Sequence, residues 1–244
     1  MAIDLDKMRA KYQALTNKGG SSDDRFWKPE EGTQVIRIVA PEDGDPFRDY
    51  MYHYRLGAEG KTTFISPRSF GQKDPIAEFG NQLWNEGTDE SKEMARKFFP
   101  KMRVFAPVVV RGEEEKGIRI WGFSKTTYER LLNIVLDPEY GDVTDVHSGT
   151  DIRLDYGKKS GQMYASTELR PNRRTSALAK TEAEIDNLMS TMPNFSEIFK
   201  ETTTDEANEL LGQTLSGATD DSPTKNNDTT SVTDIENAFD ELLA

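Results

Sequence analysis

The sequence predicts a mainly β fold with peripheral helices, and three observations carry that prediction. Residues 101–125, KMRVFAPVVVRGEEEKGIRIWGFSK, read as two period-two strands around an acidic turn. Two further strand pairs, 50–55 with 62–65 and 152–156 with 162–170, are each joined by a turn containing glycine. Helical periodicity is confined to short stretches outside these pairs.

In the central hairpin the first strand puts Met102, Val104, Ala106, Val108 and Val110 on one face, with Lys101, Arg103, Phe105 and Arg111 on the other. The second strand puts Ile118 and Ile120 on an apolar face and Arg119, Trp121 and Phe123 opposite. If both polar faces lie on one side of the sheet, rings alternate with cations there, an arrangement that holds single-stranded nucleic acid by stacking and phosphate contacts. The competing reading is a strand pair buried on both faces, with the cations at its rims. Cations in register with the rings favour the open face, because a core strand seldom places Arg one pleat from Trp.

The chain has 244 residues and is 35% apolar, low for a chain folded from end to end. It has no Cys and only His53 and His147, which argues against disulfides, Cys-ligated zinc and multi-His metal sites. No cofactor is expected. No apolar run has transmembrane length, and the first residues lack the hydrophobic core of a signal peptide, so an intracellular protein without membrane contact is expected.

The net charge of −12 is unevenly placed. Eleven acids against Lys225 follow residue 200, which leaves the first 200 residues at −2. Residues 153–180 hold seven bases against Asp155 and Glu168. Local fields decide what binds, so two basic segments within the body outweigh an acidic tail.

In chain order, residues 4–16 predict a short helix with Leu5, Met8, Tyr12 and Leu15 on one stripe and Lys7, Arg9 and Lys11 around it. Residues 17–24 form a flexible joint, so 1–20 read as a basic arm. Residues 33–39 are a strand. Gly60-Lys61-Thr62 is a turn and not a phosphate loop, since the glycine required five positions earlier is Arg55. Residues 66–99 read as polar and irregular except for a helix near 91–98. Thr126 and Glu129 form a capping box for a helix over 126–136, and Thr181 with Glu184 opens another. Short helices follow at 195–199 and 205–211. The folded core is thus expected over 21–211, with a disordered linker over 212–230. In 231–244, Ile235, Phe239, Leu242 and Leu243 share one stripe and read as an acidic partner-binding peptide.

The candidate phosphate contacts are Lys101, Arg103, Arg111, Arg119, Lys125, Lys158, Lys159 and Arg170, and the candidate stacking rings are Phe105, Trp121, Phe123 and Tyr164. Nothing reads as catalytic. The body's acids do not cluster with His or with one another at a strand end, which disfavours a metal-dependent nuclease; their concentration after residue 200 disfavours an acidic scaffold.

The order of these features resembles the single-stranded-DNA-binding, helix-destabilising proteins of T-even-type bacteriophages. It rests on the basic arm, Lys18 to Asp24 followed by Trp27-Lys28, the strand Val35-Ile36-Arg37, the segment Arg119 to Lys125, and the acidic end Asp240-Glu241-Leu242-Leu243. The resemblance implies an OB-fold-like barrel core with an embellishing subdomain, cooperative self-association along DNA through Lys7, Arg9 and Lys11, and viral replication and recombination proteins as partners of the tail. It implies work in the cytoplasm of an infected bacterial host cell. It places Trp121, Phe123 and Tyr164 at aromatic positions of the DNA cleft, with Phe105 beside it. It also implies a structural zinc held by one His and three Cys; His53 matches the His, but residues 66–79, SPRSFGQKDPIAEF, contain no Cys, so a subdomain without the metal is expected.

Overall fold

A computed structural model describes residues 24–158, 161 and 164–217. The expected arm with Lys7, Arg9 and Lys11, the turn residue Lys159, the linker over 218–230 and the tail stripe Ile235, Phe239, Leu242 and Leu243 lie outside the described residues. The elements are β1 (Phe26–Trp27), β2 (Gly32–Ile38), β3 (Arg48–Leu56), β4 (Thr62–Ile65), α1 (Pro75–Asn85), α2 (Asp89–Ala95), β5 (Lys101–Val110), β6 (Arg119–Ser124), α3 (Lys125–Val135), β7 (Ile152–Gly157), β8 (Ser166–Pro171), α4 (Glu182–Met189), α5 (Phe195–Ile198) and α6 (Thr204–Gly217).

The mainly β expectation is met by one mixed sheet of eight strands, in the order β1-β6-β5-β2-β7-β8, with β3 paired to both β5 and β4. β5 organises it. One edge of β5 pairs with β6; the other pairs first with β3, over Lys101 to Phe105, and then with β2, over Val108 to Val110. Pro107 sits where the partner changes, a place for a residue with no N–H to give, and its carbonyl accepts from Val39 N–H at 3.0 Å.

The inner face of the sheet encloses a core of Trp27, Ile36, Ile38, Val104, Ala106, Val108, Trp121, Phe123, Ile152 and Leu154, sealed by Leu131 of α3. α3 bridges β5 and β6 to β8, and Arg130 donates to the Thr167 carbonyl. Its cap differs from the expected Thr126–Glu129 box. Ser124 caps it, its hydroxyl accepting from Thr127 N–H, so the helix starts one residue earlier, where β6 ends. The Thr181–Glu184 box at α4 forms as expected.

Over β2 and the second half of β5, α4 covers Val39, Val109 and Ile118 with Leu178, Ile185 and Leu188. Beneath this cover Arg37 is wholly buried. Its Nε donates to Asp151 Oδ1 at 2.9 Å, Nη1 to the Asp145 carbonyl at 3.1 Å, and Nη2 to the carbonyl and hydroxyl of Ser176 at 2.9 and 2.8 Å. Burial lowers the Arg37 pKa and Asp151 opposes that shift, so the guanidinium stays charged in the core.

Two expectations fail at the far end of the β3–β4 pair. α1 occupies residues expected to be irregular; Asp74 caps it by accepting from Ala77 N–H at 3.0 Å, and Pro75 starts it. α6 runs six residues into the expected linker. Gly57 N–H donates to Thr214 Oγ1 at 2.8 Å, and Ala207 and Leu210 pack on Leu56, Ile76 and Phe98. Composition hid this extension, because a turn built of Gly, Thr and Ser stays helical only through tertiary contacts.

Candidate nucleic-acid interface

Three of the four rings expected to stack on bases are core. Phe105 is 0%, Trp121 1% and Phe123 4% exposed. The reason is register. Ala106 lies opposite Trp121 and Val104 opposite Phe123, while Phe105 lies opposite Gly122 and Pro107 opposite Ile120. The rings of β6 therefore share a face with Val104 and Val108 of β5, in the core, where Trp27 meets Trp121 edge-on at 5.9 Å. A shift of one residue exchanges the faces of a strand, and the sequence of a hairpin with a long turn does not fix that shift. The reading with both faces buried was the correct one for these three rings.

Two of the expected cations are also engaged. Arg119 is 8% exposed and pairs with Glu113 at 2.5 Å. Arg111 spends its donors on Asp151 and on the carbonyls of Ala177 and Leu178. Both guanidiniums are held by carboxylates within the fold.

Rings and cations also alternate along the β3–β5 pair, with the rings from β3, on a face that Ile198 and Phe199 partly cover. Tyr50 lies directly opposite Arg103, and Tyr52 opposite Lys101. Tyr50 and Tyr54 are half-buried and Tyr52 is buried between them. Lys101 is exposed, with Nζ 6.0 Å from the Tyr54 ring centroid. Tyr52 and Tyr54 stack at 6.0 Å, and Phe199 stacks on Tyr50 at 4.6 Å. Phe199 also packs on Phe105, which lies on the same face as the tyrosines and is buried there. Arg48 flanks the row, with Cζ 6.0 Å from the Phe195 ring and ion pairs to Asp43 and Asp45. At the end of β6, Ser124 lies opposite Arg103, and the next residue, Lys125, is exposed and 3.8 Å from Glu129.

The β3–β4 pair has a bulge between His53 and Leu56, with Arg55 at φ 59°, and because β5 begins at Lys101, opposite Tyr52, Tyr54 lies one pleat beyond the last β3–β5 pair. Burial raises the hydroxyl pKa of Tyr50 and Tyr54, and that of Tyr52 well above the ordinary value. The rings are neutral near pH 7, so nothing in the row repels phosphate.

Tyr50 and Tyr54 were missed as site residues although their signal was visible. Three tyrosines at period two define one face, but the sequence does not show that β3 pairs with β5 and so sets that face beside Lys101 and Arg103. The remaining expected residues lie elsewhere. Lys158, Tyr164 and Arg170 are exposed on the β7–β8 hairpin, which the sheet order separates from β5 by β2.

His53 is buried, not metal-bound in character. Its Nε2 lies 2.8 Å from Asp74 Oδ2, and Ser66 Oγ donates to the same oxygen at 2.5 Å. One imidazole, one carboxylate and one hydroxyl do not make the four-ligand set of a structural zinc, and among the described residues no group of three or more His, Asp or Glu converges. Burial pushes the Asp74 carboxyl up, but hydrogen bonds from His53, Ser66 and Ala77 N–H outweigh it and hold its pKa at about 2.

Neutral rings flanked by cations are groups that can stack on bases and meet phosphates. The comparisons agree: the sequence model of the family described as gp32 DNA binding protein like matches residues 30–215, and the chain belongs to that family of DNA-binding proteins. No curated protein matches the chain.

Proposed function

We propose that the protein binds single-stranded DNA without sequence preference, coating it during viral replication, recombination and repair in the cytoplasm of an infected bacterium. The observation that carries the reading is the β3–β5 register, which sets Tyr50 and Tyr54 beside Arg103 and Lys101. Bases stack on the tyrosines and phosphates meet Lys101, Arg103 and Lys125. The β-rich core is an OB-type barrel, and β4, α1, α2 and α6 form its subdomain, held by the His53–Asp74–Ser66 cluster in place of zinc. Residues 1–20 supply cooperativity between neighbours along the strand, and 231–244 recruit replication and recombination proteins. The activity is binding, not catalysis.

Titration with poly(dT) tests this reading. Tyr54→Ala is expected to weaken binding by about 1–3 kcal/mol with the fold intact. A Tyr54→Ala variant that binds as tightly as the parent contradicts the proposal. Cleavage of a labelled single strand on addition of divalent metal would favour a nuclease.

A further inference from the structure

We propose that the outer face of the β7–β8 hairpin is a second nucleic-acid contact, made by Arg153, Arg170, Arg173 and Arg174 with the phosphodiester backbone. The inference rests on the single-strand-binding reading above and adds a surface two strands removed from the tyrosine row. Arg153 and Arg170 stand directly opposite one another, both exposed. Like charges at that spacing repel, and an anion lying across them relieves the repulsion.

Asp155 and Glu168 stand opposite one another on the same face, so the excess positive charge lies with Arg173 and Arg174 of the adjoining loop. Asp155 accepts from the Thr33 hydroxyl, and Glu168 sits 3.4 Å from Arg170 Nη2. Arg153, Arg173 and Arg174 make no ion pair with another described residue. The loop bearing Arg173 and Arg174 is pinned at both ends. Asn172 N–H donates to the Asp151 carbonyl at 2.8 Å and Ser176 N–H to the Gly149 carbonyl at 3.0 Å. The Ser176 hydroxyl joins the Arg37–Asp151 network at 2.8 and 3.1 Å. These cations thus stand on a fixed platform, and binding a backbone costs little ordering of the loop. Tyr164, 64% exposed at the hairpin tip beside Lys158, gives the same ribbon one ring. A backbone crossing this face needs no base contact, so the surface is engaged only by a strand long enough to leave the tyrosine row.

The test compares the full chain with a variant carrying Arg153→Ala, Arg173→Ala and Arg174→Ala, on oligo(dT) of about 4 and about 16 nucleotides, the span of sites used by single OB modules. Expected is unchanged affinity for the short strand, and for the long strand a salt slope shallower by about 2, as loss of three phosphate contacts gives. The triple Arg→Lys variant should retain the parent slope, which separates charge from folding. Unchanged long-strand binding overturns the inference, as does equal weakening on both lengths. Tighter long-strand binding also overturns it, since the cluster would then hold the chain's own acidic residues 218–244. If the parent binds neither length at low salt, the underlying reading fails; if it binds both with the same slope, only this inference does.

Discussion

At the scale of single residues, rings of similar chemistry have opposite duties. Trp121 is core, so Trp121→Ala is expected to cost about 3–5 kcal/mol of stability, read from the urea midpoint. Tyr54→Ala, which removes a half-buried ring stacked on Tyr52, should lower that midpoint by less than Trp121→Ala and act mainly on DNA affinity. A second residue-scale expectation follows from Asp74. Its folded pKa, about 2, lies below the ordinary carboxylate value, so its contribution is present above about pH 4 and is lost as pH falls through 2. That contribution is roughly 2 kcal/mol. Asp74→Asn should remove it, and the stability gap between parent and variant should close as pH falls from 4 to 2. A gap that stays constant over that range would mean the carboxylate is not held by His53 and Ser66.

At the scale of elements, local pattern was legible and pairing was not. The strands, the Thr181–Glu184 box and the acidic turn of the central hairpin can each be read from residues adjacent in sequence. The burial of Trp121 and Phe123 depends on the β5–β6 register, and the tyrosine row on a β3–β5 pairing across some fifty residues that no local signal announces. The same limit explains α6, whose last turn is polar and is held by Gly57 and Ala58 from β3's end. A chain ending after residue 211 is therefore expected to melt lower than one ending after 217, measured by circular dichroism. Equal melting temperatures would show the added turn to be idle. The Arg37 latch makes a stronger expectation. Asp151→Ala leaves a buried guanidinium without its carboxylate, a loss of about 3–5 kcal/mol in stability.

At the scale of the molecule, a net charge of −12 coexists with DNA binding because eleven acids against one base follow residue 200, which leaves the first 200 residues at −2. Charge placement was readable from sequence because it depends on composition by segment, and the DNA-binding family was readable from the order of segments, although the hairpin rings offered as its signal are core. Which face carries the DNA was not, because that is a property of how strands pair. The measurement that bears most directly on this point is ultraviolet crosslinking of oligo(dT) to the full chain, followed by mass spectrometry of the digested adduct. Crosslinks are expected at Tyr50 or Tyr54, in the peptide bearing β3. Crosslinks confined to Trp121 or Phe123 in β6 would contradict the assignment of the binding face.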